Sequence, residues 1–254
     1  MRRVSLHALC LAPRGRQYLP AVVGVLALVL ATLASAQGPA LRSDVERYTR
    51  ANDLRMLEEF RAFLSLPNVS TVQADMERNA AWIVRYVKEG GFSARIVTAG
   101  RSPYVLAERQ VPGAARTLLV YAHFDGQPVE PANWSTPPFE PTLKDGDRVL
   151  EWGGLRAGAI DEDWRIFARS AGDDKAPLIA LMHAIEALDS AAVPLSVNVK
   201  LILDGEEEFG SPTVGKILAQ YGDAMAADLL LFCDGPMHQS GQRQLVFGVR
   251  GAMG

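Results

Sequence analysis

Cysteine is nearly absent: the chain of 254 residues carries two, Cys10 and Cys233. With Cys10 in a removable leader, no internal disulfide can form, so stability must come from packing or from a bound metal. Basic blocks are absent as well. Lys and Arg number 26 against 29 Asp and Glu, a formal net charge of -3. Phosphate binding needs clustered positive charge, so nucleic acid is excluded as a main partner. Histidine is scarce, at four residues. No internal repeat or low-complexity tract follows the N-terminal segment. What is present is an ordinary globular composition, 48% hydrophobic, enough to bury a real core.

The N-terminus reads as a secretory leader. Arg2, Arg3, Arg14 and Arg16 precede the apolar run AVVGVLALVLATL, and Ala34-x-Ala36 supplies small residues before Gln37. The run is shorter than the roughly 20 residues that a bilayer core requires, which favours cleavage over an uncleaved anchor. Residues 1–36 are therefore expected to be a signal peptide, with an exported, periplasmic or extracellular, chain starting near Gln37. Cys10 lies upstream of the apolar run, against a lipid-modified cysteine. Asn68 and Asn133 fit the short glycosylation pattern, which carries little weight alone.

Leu54, Leu57, Phe60, Phe63 and Leu64 recur at helical spacing and predict an amphipathic helix over 43–66. A second helix fits QADMERNAAWIVRYVKE, stopped by Gly90-Gly91. Short β-rich runs follow (SARIVT, YVLAER, TLLVYAHFDG), then the helix APLIALMHAIEAL, the strand LSVNVKLILDG, the helix VGKILAQYG and the strand DLLLFCDG. Nearly continuous apolar strands alternating with helices predict an α/β fold: a mixed, largely parallel sheet with helices on both faces. Such sheets gather functional groups beyond the carboxyl ends of their strands.

Those ends are acidic here. They read YAHFDG, LILDGEEE and LLLFCDG, and the cluster AGDDKAP precedes a helix. His123 and Asp125, two positions apart on an extended segment, point the same way, so the carboxylate can orient the imidazole while its other nitrogen binds a metal. Taken alone, each cluster reads as a strand cap, a helix cap or a solvated turn. Four at one sheet edge would repel one another unless they shared cations. With His and carboxylate donors and no cysteine set, a two-metal hydrolytic site follows, with zinc first and other divalent ions as alternatives.

In order and wording, YAHFDGQPVE, WSTPPFEP, ARSAGDDKAP, LDGEEEFGS and LLLFCDG resemble the M20 family of binuclear zinc peptidases and amidohydrolases over roughly residues 50–254. The family includes carnosinase-like dipeptidases, carboxypeptidases and aminoacylases. The resemblance implies that residues 37–254 form the N-terminal part of a metallopeptidase catalytic domain acting on small peptides or acyl amino acids. It implies His123 and Asp234 as ligands of one metal, Asp173 as the bridge, Glu208 as a ligand of the second metal, Glu207 as general base and Asp125 as the orienter of His123. It further implies a cis peptide between Asp173 and Asp174. Glu206 is expected to be a solvated spacer. An N-acyl amino acid amidohydrolase and a noncatalytic metal- or peptide-binding relative are the alternatives.

Three departures stand out. Ala168, Ser170 and Ala176 replace glycines that the family writes around its acidic pair. A long stretch over 142–170 is either a hairpin at the rim of the site or a plain surface insertion. The family's lid or dimerisation domain, through which a homodimer would form, and the second site's histidine ligand would lie beyond Gly254. The second metal site is therefore expected to be incomplete here, since His183 sits in a helix and His238 in a loop.

Overall fold

The computed structural model describes residues 19–235 and 239–240, with side chains from residue 40 onward. The chain divides into two units, Met1–Glu46 and Arg47–Gly254; the sheet and the site belong to the second. Among the described residues no helix is long and apolar enough to cross a membrane.

Helix α1 spans Leu19–Leu64, so the helix expected over 43–66 begins well before that amphipathic stretch. It runs through Gly38-Pro39, a dipeptide that ordinarily breaks a helix and that stands between the apolar run and this stretch. Helix α2, Gln73–Glu89, ends at Gly90 as expected, and Gly91 takes a left-handed φ of 83°. Strands β1 (Ser93–Thr98), β2 (Pro103–Arg109) and β3 (Thr117–His123) follow. After β4 (Thr142–Asp145), β5 (Arg148–Leu150) and β6 (Arg165–Phe167) come α3 (Ala176–Ser190), β7 (Asn198–Asp204), α4 (Val214–Met225) and β8 (Leu229–Phe232).

The main sheet has the order β1-β2-β7-β3-β8. β3 pairs in parallel with β7 and β8, whereas β2 is antiparallel to both β1 and β7. Four strands thus share one direction and β2 opposes them, in line with the mixed, largely parallel sheet read from the sequence. Strand periodicity of two sorts the core onto two faces. Val105, Ala107, Val120, Ala122, Val199 and Leu201 pack with Met76, Ile83 and Val87 of α2 and Leu178, Met182 and Ile185 of α3. Tyr104, Leu106, Tyr121 and Ile202 face the other way, with Ile217 of α4.

The stretch over 142–170 is a small three-stranded sheet, β5-β4-β6. It is moored to α1, where the Arg61 guanidinium lies 4.4 Å over the Trp152 ring and Asp53 accepts the Gly158 amide at 3.0 Å, and its end reaches the loop after β3, where Arg169 donates to Pro128 O at 3.4 Å.

Candidate metal centre

Parallel pairing of β3 with β7 sets His123 opposite Asp204, so both strands end level and release their chains on the same side. β8 pairs with β3 from the far side through Tyr121 and Phe232, which brings Asp234 just past the same edge. The Asp173 segment enters from the start of α3. Sheet pairing, not sequence proximity, assembles the site.

His123 is the centre of the cluster, with a fully buried side chain. Its Nε2 lies 2.8 Å from Asp173 Oδ1, and 3.8 Å from both Glu207 Oε2 and Asp234 Oδ2. Donor atoms of His123, Glu207 and Asp234 all fall within 4.8 Å of one another. On the opposite side of the ring, Nδ1 is 3.3 Å from Asp125 Oδ1. The aim is too poor for a full hydrogen bond, leaving Nδ1 a buried atom whose contact with Asp125 is electrostatic. Burial by itself would lower the His123 pKa, but the charges of Asp125 and Asp174 around the ring reverse this and lift it to about 10. Burial, together with Asp234, Asp125 and Glu208 nearby, raises Glu207 against the opposing pull of His123.

These values describe a knot of carboxylates that draws positive charge. One imidazole nitrogen with three carboxylates converging on it is the donor set of a zinc-type site, and the dry face behind the ring gives the imidazole one orientation. The residues present fit a divalent ion.

Asp125 does more than face the histidine. Fully buried, it accepts the backbone amides of Glu207 and Glu208, each at 3.1 Å. One carboxylate thereby fixes both the imidazole and the turn that presents the glutamates. Asp174 supports from another side, its Oδ2 accepting the His123 amide at 3.2 Å; burial lifts its pKa to about 7. The peptide between Asp173 and Asp174 is cis, as expected.

Of the six residues singled out in the sequence, His123, Asp173, Glu207 and Asp234 converge and Asp125 backs them. Glu208 does not join the cluster: its Oε2 accepts Gln127 Nε2 at 2.8 Å. Glu206 requires a correction. Instead of a solvated spacer it is 4% exposed, its Oε1 accepting the Tyr104 hydroxyl at 3.0 Å and the Thr213 amide at 2.8 Å. A run of three glutamates looks polar throughout, and only the fold reveals that the first points inward. His183 is remote from the cluster, 3.1 Å from Glu59 across the α1–α3 interface; His238 lies outside the described residues.

Asn68, Ser170 and Lys175 give further support in roles that the sequence did not indicate. Asn68, one of the two glycosylation-pattern asparagines, is fully buried and donates to Phe124 O and Ser170 Oγ, both at 2.8 Å. In the folded chain it is thus closed to glycosylation. Ser170, standing where the family places a glycine, keeps a left-handed φ of 61° with its hydroxyl held by Asn68. A Cβ on Gly126 would come within 2.6 Å of that hydroxyl, which is why Gly126 faces it. Lys175 is 1% exposed and donates to Phe63 O at 2.9 Å and Leu66 O at 3.0 Å, closing the C-terminal end of α1.

Residues 119–248, just over half of the chain, match the sequence model of peptidase family M20/M25/M40. The chain belongs to this family. Among curated M20 relatives, a Cys-Gly metallodipeptidase of Schizosaccharomyces pombe is 30% identical over 152 residues, covering 59% of this chain and 28% of that protein. The Beta-Ala-His dipeptidase of Homo sapiens is 26% identical over 152 residues, 59% of this chain and 26% of its own length. An M20 metallo-carboxypeptidase structure from Sulfolobus solfataricus superposes with a TM-score of 0.61 at 30% identity, over 74% of this chain and 39% of that one. Human carnosine dipeptidase 1 shares the fold with a TM-score of 0.63 at 21% identity, over 77% and 41%. The chain thus spans well under half the length of these M20 relatives.

Proposed function

We propose that this protein is an exported M20 metal-dependent hydrolase that cleaves the amide bond of small peptides, of dipeptidase or carboxypeptidase type. The observation that carries the reading is the convergence of His123, Asp173, Glu207 and Asp234 at one strand edge, with Asp125 buried behind. In this reading His123, Asp234 and Asp173 would hold the divalent ions, most simply zinc, with Glu208 as a further ligand once released from Gln127. Bound there, the ions supply Lewis acidity toward water and the scissile carbonyl. Glu207, partly exposed with a raised pKa, takes a proton from the attacking water and returns it to the leaving amine. Asp125 holds the imidazole and the Glu207 backbone in place throughout.

Export rests on the Arg-rich start, the apolar run and the Ala34-x-Ala36 site. N-terminal sequencing of the secreted protein should begin near Gln37, and an intact Met1 in the cytosol would contradict it. The test of activity is hydrolysis of Cys-Gly and β-Ala-His by the zinc-loaded full-length protein, with Glu207→Gln expected to lose about 10²- to 10⁴-fold in kcat while zinc stays bound.

A second reading has its own support. A succinyl-diaminopimelate desuccinylase of Azoarcus is 30% identical over 145 residues. Under that reading an N-acyl amino acid would be cleaved in preference to dipeptides at the same carboxylate cluster.

A further inference from the structure

We propose that Glu206 is a positioning residue which locks the turn carrying Glu207 and Glu208 over the strand edge, an inference that rests on the hydrolase reading of this site. The turn Glu207–Phe209 is one short helical turn, too short to hold itself. It is held on its inner side by Asp125, through the amides of Glu207 and Glu208. Gln127 donates to Glu208 O at 3.3 Å from the rim, and the ties to β2 and α4 run through Glu206. The Glu206 carbonyl accepts the Phe209 amide at 3.1 Å and the Ser211 amide at 3.0 Å, closing the turn on itself. The Glu206 carboxylate reaches outward: Oε1 accepts the hydroxyl of Tyr104 on β2, the Thr213 amide at the start of α4, and the Thr213 hydroxyl.

One oxygen thus joins a strand, a turn and a helix. The helix end is suited to it, because unpaired amides and the helix dipole favour an acceptor there. Beneath it Asp204, fully buried, accepts the Glu206 amide at 2.8 Å and the Ser211 hydroxyl at 2.7 Å. A glutamate that merely separated strand from turn would lie in water at no cost. Burying a carboxylate is unfavourable unless its bonds are made, so this placement has a structural purpose. That purpose concerns Glu207: its side chain is about one-third exposed, and its direction is set by the backbone it hangs from.

The test uses the full-length, zinc-loaded protein with Glu206→Gln, Glu206→Ala and Glu207→Gln, read by hydrogen exchange at residues 207–209, zinc stoichiometry and kcat. Glutamine keeps the Oε1 acceptor, so Glu206→Gln should leave exchange unchanged and kcat within about threefold of wild type. Alanine removes all three bonds. Glu206→Ala should speed exchange at Glu207 and Glu208 by about tenfold or more and lower kcat by about 10- to 100-fold, with zinc retained and KM little changed. Wild-type exchange and kcat in Glu206→Ala would overturn the proposal. So would a Glu206→Gln enzyme as dead as Glu207→Gln, because Glu206 would then touch the reacting atoms itself. If the wild type binds zinc but hydrolyses nothing, the hydrolase reading fails, yet the exchange contrast between alanine and glutamine still decides the positioning role. Should Glu206→Ala fail to fold, Tyr104→Phe removes one donor. It should show the same pattern at smaller amplitude, and unchanged exchange there would refute the lock.

Discussion

Replacing Asp125 by asparagine changes one atom at the point where ligand and base are tied together. Asp125 Oδ1 faces His123 Nδ1 at 3.3 Å and accepts the Glu207 amide at 3.1 Å, while Oδ2 accepts the Glu208 amide at 3.1 Å. An asparagine has one acceptor oxygen, so whichever way it turns, its NH₂ group meets a donor. If oxygen takes the Oδ1 position, the Glu208 amide is stranded; if it takes the Oδ2 position, the Glu207 amide is stranded and the imidazole faces a donor. A buried unsatisfied amide costs about 1–3 kcal/mol. The imidazole also loses the charge that orients it and supports its basicity. Loss of such a partner typically lowers metal affinity by about 10- to 100-fold, or roughly 1.4–2.7 kcal/mol. Two separable readouts follow. Zinc affinity, measured by competition with a chelator, should drop within that range. The urea midpoint of the metal-free protein should fall by the equivalent of about 1–3 kcal/mol. An Asp125→Asn protein that binds zinc within threefold of wild type and unfolds at the same urea concentration would refute the double role.

Lys175→Met keeps the bulk but removes both bonds to the end of α1, Phe63 O and Leu66 O, and the ammonium over the Phe63 ring. Stranding those carbonyls should destabilise the fold by about 2–4 kcal/mol in denaturant titration, with Lys175→Arg recovering part of it. Gly205→Ala should cost about 3 kcal/mol, because the new Cβ would lie 2.3 Å from Pro103 O and 2.7 Å from Phe124 Cζ, with no room to move off the backbone oxygen. His183 supplies a pH dependence: burial between α1 and α3 lowers its pKa despite Glu59 and Glu186 beside it, with Arg55 adding to the lowering. Below the unfolded pKa of about 6.5 the unfolded chain takes a proton that the folded chain resists, so stability falls as pH drops, by at most about 1.4 kcal/mol per pH unit. Urea midpoints between pH 7.5 and 5 should therefore decline less steeply in His183→Gln than in wild type, and parallel curves would count against it.

The elements were legible because periodicity is a local property. SARIVT, QADMERNAAWIVRYVKE and the helix after Asp174-Lys175 carry their own alternation or helical spacing and their own stops, and each appears where that spacing places it. The start of α1 was not legible, since Gly38-Pro39 reads as a break between the leader-like run and the amphipathic stretch, whereas the helix continues through it. The acidic strand ends were legible as a group, because several carboxylates at one edge call for a cation wherever each side chain points.

Direction is where local reading stopped. Glu206, Glu207 and Glu208 are chemically identical in sequence, and no propensity ranks them. The fold separates them through partners far along the chain: Tyr104 and Thr213 draw Glu206 inward, Asp125 fixes the backbone of Glu207 so that its side chain faces His123, and Gln127 holds Glu208. Asn68 likewise reads as a surface glycosylation signal until the bonds to Phe124 and Ser170 bury it. By itself the sequence determined the α/β elements, the family and the residues able to meet a metal, since composition, spacing and chemistry are written in the chain. Which carboxylate meets the ion, which braces the turn and which waits at the rim was decided by tertiary structure alone, because a buried charge goes where distant donors satisfy it.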